Sequence, residues 1–263
     1  MNGILKIENV NRIYIDGDDP LTAEKTEALQ NINLTVTEGE FLSIIGSSGC
    51  GKTTLLRLIG GLDRPQSGTL IFDGHEITRP DPERGYIFQQ GSLFPWMTVE
   101  ENIAVGLKAR HVYKQEKDKV PYYIEMIGLK GFERSYPHQI SGGMAQRVAI
   151  ARALINSPRM LLLDEPMGAL DSFTRADIQD RLLEIHSRER ITMVLVTHDV
   201  EEAIYLSDRI VIMTPRPGRI SEVLDIDLKF PRNRGDEGFL KIRTEIMERF
   251  HLASKPAEPE YMI

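Results

Sequence analysis

A chain of 263 residues that is 41% hydrophobic and 27% charged can bury one large core, and it has no run near the length of about 18 apolar residues that crosses a membrane. A formal net charge of -7 argues against broad electrostatic binding to nucleic acid, so no nucleic-acid partner is expected. The one cysteine, Cys50, excludes an internal disulfide and a thiolate metal cluster and fits a reducing compartment.

Apolar strand-like runs alternate with helix-like segments, the order expected of an α/β protein with a largely parallel sheet. The first residues, Met1 to Lys6, lack the basic region and apolar stretch of a secretory signal, which predicts a cytosolic protein. Leu5 to Val10 and Ile32 to Val36 read as strands of a flanking β-rich part, with a polar stretch from Asp16 to Glu27 between them. Phe41 to Ile45 reads as a strand running into a glycine-rich turn, and the turn opens a helix from Lys52 to Ile59. Gly68 to Phe72 and Gly85 to Phe88 read as short strands. From Thr98 to Leu154 the pattern is helical, broken at Lys114 to Lys119 and at Pro137-His138. This block reads as an inserted helical subdomain over about residues 91–157, with a helix starting at or after Pro121. The α/β rhythm returns with Met160 to Leu163, a helix from Phe173 to Arg188, and strands at Thr192 to Val196 and Ile210 to Met213. Beyond Phe230, the residues Phe239, Ile242, Ile246, Met247 and Phe250 recur at helical spacing ahead of a Pro- and Glu-containing tail. The expected division is a main domain over residues 1–230 and a helical extension with a tail over 231–263.

Gly46-Ser47-Ser48-Gly49-Cys50-Gly51-Lys52-Thr53 has the spacing of a phosphate-binding loop between a strand and a helix. Glycines let the backbone wrap closely, so that its N–H groups and the helix N-terminus point at phosphate oxygens. The candidate nucleotide contacts are therefore Gly46, Ser47, Ser48, Gly49, Cys50, Gly51, Lys52, Thr53 and Thr54. Lys52 brings a mobile positive charge to the β and γ phosphates, and the Thr53 hydroxyl is placed to ligate magnesium.

Met160-Leu161-Leu162-Leu163-Asp164-Glu165 supplies a second half: an apolar strand, Asp164 at its end to hold magnesium through water, and Glu165 to polarise the attacking water. Upstream, Ile140-Ser141-Gly142-Gly143-Met144 opens a helix with Ser141 as a natural N-cap, and its two glycines leave the positive helix end accessible to an anion. Ser141 stands 23 residues before Asp164.

In this order the motifs resemble the ATP-binding-cassette ATPases, over roughly Leu5 to Leu228. The resemblance implies an α/β, RecA-like P-loop NTPase core with an antiparallel β subdomain and an inserted helical subdomain, hydrolysing ATP with Mg2+. Tyr14 matches the aromatic that stacks on adenine, although an aromatic there reads nearly as well as packing. Gln89 matches the glutamine that reaches magnesium and the attacking water, and His198 the switch histidine. Ser141, Gly142, Gly143 and Met144 match the family signature, and Asp171 the loop at the dimer interface. The implied catalytic set is Glu165, His198, Gln89 and Lys52, and the implied metal set is Thr53, Gln89 and Asp164. Because one subunit's signature closes over ATP held by another, the resemblance also implies a head-to-tail dimer with a second copy or a homologous ATPase subunit. Ile140 and Met144 stand where the family pattern has leucine and glutamine, and Met167 replaces a frequent aromatic.

Beside the resemblance, chemistry gives two of these roles a case against the plain readings of a surface glutamine and a structural histidine. A glutamine amide offers both an acceptor and a donor, so it can ligate a metal or water and register loss of the γ-phosphate. An imidazole after the Thr192 to Val196 strand can contact the γ-phosphate and hold Glu165 in line.

Leu93-Phe94-Pro95-Trp96-Met97-Thr98 and Ser135-Tyr136-Pro137-His138-Gln139 resemble importer motors. Met213 to Ile220, with Pro215-Arg216-Pro217-Gly218-Arg219 inside it, resembles the motors of the nitrate, sulfonate and taurine uptake group, although that run reads equally as a β-turn with a solvated basic edge. The expected partners are transmembrane permease subunits, docking around Gly91 to Glu101, and indirectly an extracytoplasmic solute-binding protein, although the apolar run Phe94 to Met97 reads nearly as well as packing inside the motor itself. The expected place is the cytoplasmic face of a bacterial membrane. A cassette ATPase acting on DNA would need a long coiled coil in the 87 residues between Thr53 and Ser141. A metabolite kinase has no use for Ser141 to Met144 or His198.

Overall fold

The computed structural model describes residues 3–16, 24–89, 93–168 and 170–253. In chain order the elements are β1 (Leu5–Asp16), β2 (Glu24–Val36), β3 (Phe41–Ile45), α1 (Lys52–Gly60), β4 (Ser67–Phe72), β5 (His75–Glu76), β6 (Arg84–Ile87), α2 (Val99–Ala109), α3 (Tyr113–Glu116), α4 (Lys119–Met126), α5 (Gly142–Leu154), β7 (Met160–Asp164), α6 (Ser172–Glu189), β8 (Thr192–Thr197), α7 (Val200–Leu206), β9 (Arg209–Met213), β10 (Ile220–Asp225) and α8 (Glu237–Ala253). The chain divides into two compact units, Met1–Arg79 with Val196–Ile263, and Pro80–Leu195.

In the first unit, β1 lies between β2 and β4, antiparallel to both, and β5 adds an edge to β4. This is the antiparallel β part expected from the sequence, with longer strands. Of the polar stretch between β1 and β2, residues 17–23 lie outside the described residues. β3 pairs in parallel with β9, and β10 pairs antiparallel with β9. All five residues of β3 are buried, the pattern of a strand covered on both faces. α8 inserts Phe239 and Ile246, both 1% exposed, into a cluster with Ile45, Ile204, Ile210 and Ile212. Each such side chain contributes roughly 1.5–3 kcal/mol by burial. Arg232 secures the approach to α8 by donating to the carbonyls of Ile204, Ser207 and Leu228. The first two lie at the C-terminal end of α7, where carbonyls lack intrahelical partners.

In the second unit, β6 and β7 run parallel with Tyr86 opposite Leu162, and β8 flanks β7. α2, α4 and α5 enclose Ile103, Leu107, Ile124, Val148, Ala151 and Ile155. A capping box starts α2: the Thr98 hydroxyl accepts from the Glu101 N–H, and the Glu101 carboxylate accepts from the Thr98 N–H. α4 begins at Lys119, two residues before Pro121 rather than at or after it. A proline in the first helical turn forfeits only an N–H that has no intrahelical partner.

Candidate functional site

The phosphate-loop candidate follows β3 directly in the first unit. Gly46 is buried, and a Cβ there would come within 2.5 Å of the Cys50 Sγ, so the cysteine fills the space the glycine leaves. Gly51 has φ 105°, and a Cβ on it would meet the Ala28 carbonyl oxygen at 2.7 Å. Both facts demand glycine. Lys52, only 5% exposed, donates from Nζ to the carbonyls of Gly46 at 2.8 Å and Ser47 at 3.1 Å, which fixes its charge within the loop. Ser48, Gly49 and Thr53 are exposed, whereas Ser47 and Thr54 are half-buried.

The Pro-Arg-Pro-Gly-Arg run backs this loop rather than forming a purely solvated turn. The Gly218 N–H donates to Ala28 O at 3.0 Å, and its carbonyl accepts from Gln30 N at 2.9 Å. A Cβ on Gly218 would lie 2.0 Å from the Cys50 carbonyl oxygen. Arg216 donates to the Gly49 carbonyl at 3.3 Å, and Arg219 Nε donates to Gln30 Oε1 at 2.6 Å.

Tyr14, on β1, is 36% exposed, and its hydroxyl donates to Asp63 Oδ2 at 2.9 Å. Burial pushes the Asp63 carboxyl up, but the Arg64 N–H, the Tyr14 hydroxyl and the Arg12 guanidinium together hold it below the usual range. His198 is exposed between β8 and α7. Its backbone is held on either side: the Asp199 N–H donates to Thr197 Oγ1 at 3.1 Å, and the Asp199 carboxylate caps α7 by accepting from the N–H of Glu201 at 2.9 Å and of Glu202 at 3.1 Å.

In the second unit, Met160 to Leu163 are fully buried and Asp164 is 4% exposed. A carboxylate taken this far from water needs donors, and the Tyr86 hydroxyl on β6 donates to Asp164 Oδ2 at 3.0 Å. Glu165 turns out of the strand with φ 43°, a left-handed backbone uncommon for a non-glycine residue. Gln89, exposed just beyond β6, donates from Nε2 to Glu165 Oε2 at 3.2 Å.

Ser141 caps α5 by accepting from the Met144 N–H at 3.2 Å. The two glycines after Ser141 differ in their surroundings. A Cβ on Gly143 would collide with Thr174 Cγ2 at 2.2 Å, whereas one on Gly142 would meet nothing closer than Leu170 Cδ2 at 3.9 Å. Asp171 caps α6, accepting from the N–H groups of Phe173 and Thr174 at 3.1 Å and from the Thr174 hydroxyl at 2.6 Å. Its neighbour Ala169 lies outside the described residues.

The sequence reading missed Asn102. This fully buried amide accepts from the Phe94 N–H at 2.8 Å and donates to the carbonyls of Phe94, Met97 and Thr98 at 3.0–3.1 Å. It clamps the loop ahead of α2 and leaves Trp96 69% exposed, with its ring 5.5 Å from that of Phe94. Gly91 and Ser92 of the expected docking segment lie outside the described residues. Close in sequence, Glu100, Glu101, Tyr113, Pro121 and Ile124 line a cavity of about 580 Å3. Arg12, Asp63 and the Tyr86 hydroxyl were missed too, because each meets its partner across 49 or more positions of chain.

The ABC transporter family profile matches residues 29–168, more than half the chain. The chain belongs to the ABC transporter family. It is an ATP-binding protein and an ATPase of that family. It is 52% identical to the aliphatic sulfonates import ATP-binding protein SsuB of Bacillus thuringiensis, over 85% of this chain and 88% of that one. It is 43% identical to the nitrate import ATP-binding protein NrtD of Synechocystis, over 98% of this chain and 90% of that one. Among solved structures, it is similar to the dimeric ATP-binding cassette MJ0796 in a post-hydrolysis state bound to ADP and Pi, with TM-score 0.73 and 34% identity, over 86% of this chain and all of that one. It is also similar to cbiO1 of Clostridium perfringens, part of the transporter complex cbiONQ, with TM-score 0.73 and 26% identity, over 96% of this chain and 99% of that one. The structural neighbours share the P-loop NTPase fold expected from the motifs.

Proposed function

We propose that this chain is the ATP-hydrolysing subunit of an importer for small oxyanionic solutes of the sulfonate, nitrate or taurine kind. The observation that carries the reading is the bond from Gln89 to Glu165 at the end of a fully buried strand. It joins a carboxylate suited to polarise water to an amide suited to report on the γ-phosphate. The names of the sulfonate and nitrate relatives support import and the solute class.

Lys52 neutralises the β and γ phosphates, and the loop N–H groups orient them. Thr53, Gln89 and Asp164 offer a hydroxyl, an amide oxygen and a carboxylate, the hard oxygen donors that Mg2+ takes together with phosphate oxygens. Those residues would hold the ion, which when bound neutralises developing phosphate charge. Glu165 takes the proton of the attacking water, and His198 holds the γ-phosphate end. Ser141, Gly142, Gly143 and Met144, with Asp171, act on nucleotide held by a second copy or a homologous subunit, a reading supported by the dimeric cassette relative. Permease subunits dock around Gly91 to Glu101, and an extracytoplasmic solute-binding protein delivers the solute. No helix among the described residues is long and apolar enough to cross a membrane, which suits a subunit held to the cytoplasmic face of a bacterial membrane by its permease. On this reading residues 1–230 are the cassette, with its helical subdomain at about 91–157, and 231–263 an extension.

The test is to express the chain with its neighbouring permease and follow phosphate release and solute uptake together. Release of phosphate without a phosphorylated product, dependent on Lys52 and accompanied by uptake, is expected. Formation of a phosphorylated metabolite, or failure to co-purify with any membrane protein, rejects the proposal. Lys52→Ala should weaken ATP binding itself, and unchanged affinity contradicts the role given to the loop.

A further inference from the structure

Arg12, Tyr14 and Asp63 form a cluster whose parts come from β1 and from the segment after α1. The Arg12 guanidinium makes a forked ion pair with Asp63, Nε to Oδ2 at 3.0 Å and Nη2 to Oδ1 at 2.9 Å. Its central carbon lies 4.4 Å from the centroid of the Tyr14 ring. The Tyr14 hydroxyl donates to the same Oδ2 at 2.9 Å and lies 3.5 Å from Thr54 Oγ1. Asp63 therefore holds the cation by its fork and the ring by its hydroxyl.

The side chains of Arg12 and Asp63 are only 21% and 17% exposed, so water screens this pair less than an ordinary surface pair. A tyrosine pinned at its hydroxyl and covered on one face by a planar cation loses the rotamer freedom that an exposed tyrosine keeps. The contact with Thr54 sets the tip of the ring over the first turn of α1, the helix that opens from the phosphate loop.

We propose that Arg12 and Asp63 are positioning residues for base recognition: they fix the Tyr14 ring with the cation behind it, so that it offers the purine of ATP one pre-oriented face. This rests on the reading of Tyr14 as the adenine platform. Two effects follow. The ordering cost is met on folding rather than on binding. The guanidinium also draws π density from the far face, which suits stacking on an electron-rich purine. A structural staple between β1 and the segment after α1 would have neither effect. It would serve every ligand of the phosphate loop equally.

That difference is the test. The affinities of the full-length chain for ATP and for inorganic tripolyphosphate, both with Mg2+, are measured for the wild type and for Tyr14→Ala, Arg12→Gln, Arg12→Lys and Asp63→Asn. Both ligands report on the same folded population, so the ratio of their affinities is insensitive to partial unfolding. Loss of the ring in Tyr14→Ala should weaken ATP by about 10-fold relative to tripolyphosphate. Arg12→Gln and Asp63→Asn should lower the same ratio by about 3- to 10-fold, with Arg12→Lys between them and the wild type. If Tyr14→Ala lowers the ratio while Arg12→Gln and Asp63→Asn leave it unchanged, or lower both affinities equally, the positioning role is wrong and the platform stands. If Tyr14→Ala leaves the ratio unchanged, the platform falls and the proposal with it.

Discussion

Gln89 and Glu165 are linked by a hydrogen bond of 3.2 Å from the amide Nε2 to the carboxylate Oε2, although 76 positions separate them in the chain. The link joins the end of the β6 segment to the turn after β7, two strands already paired in parallel. Gln89 and the carboxylate thus share one hydrogen bond between the two strand ends.

Glu165→Gln keeps the size of the side chain while removing the base. Hydrolysis should fall by about 100-fold or more with ATP binding retained. Phosphate release, with gel filtration in the presence of ATP to follow the dimer, checks both halves. Turnover near the wild-type rate sinks the assignment of Glu165 as base.

Gly142 and Gly143 should respond differently to the same added methyl group. Gly143→Ala forces Cβ against Thr174 and should cost about 1–3 kcal/mol of stability by overpacking. Gly142→Ala has room within the chain and should leave the melting temperature unchanged or slightly raised. If the helix end receives nucleotide from a second subunit, Gly142→Ala should nevertheless lose most hydrolysis. Full activity in that variant removes the signature from the site.

Trp96 is 69% exposed on a loop clamped from beneath by Asn102. Trp96→Ala should therefore change stability by no more than about 0.5 kcal/mol and leave ATP binding by the isolated subunit intact, while weakening assembly with the permease. Co-purification with the permease is the measurement. Unimpaired assembly and uptake would reject this docking surface.

The Asp171 carboxyl is held below its ordinary range first by the Thr174 hydroxyl and then by the N–H groups of Thr174 and Phe173. A carboxyl lowered by folding contributes stability that is complete above the unfolded-state value and is lost as pH falls through the folded-state value. Asp171→Asn keeps a capping side chain without the titration. Its melting temperature should fall less than that of the wild type on acidification below the ordinary aspartate range, and parallel falls in the two proteins contradict the capping role.

What the sequence revealed was local. The run from Met160 to Leu163 announces a buried strand because four apolar residues end at adjacent carboxylates, and the phosphate loop announces itself by spacing. β10 escaped because its apolar residues at 220, 223 and 224 do not alternate. α7 has apolar residues at 200, 203, 204 and 206, a helical pattern over only seven residues, too short to stand out. Asn102 looked like one more polar residue on a helix, because its four hydrogen bonds depend on a loop whose path is set by the rest of the subdomain. The fork from Arg12 to Asp63 crosses 51 positions, beyond the reach of any local pattern.

The left-handed backbone of Glu165 has a consequence for evolution and engineering. That conformation costs an L side chain roughly 1–2 kcal/mol, a penalty glycine escapes. The backbone of this turn therefore favours glycine over glutamate, and a library sorted for heat resistance alone would be drawn away from the carboxylate. A lineage released from the need to turn over nucleotide should lose this carboxylate early and keep the four buried residues before it, so that its sequence would still look like a motor after it had stopped being one.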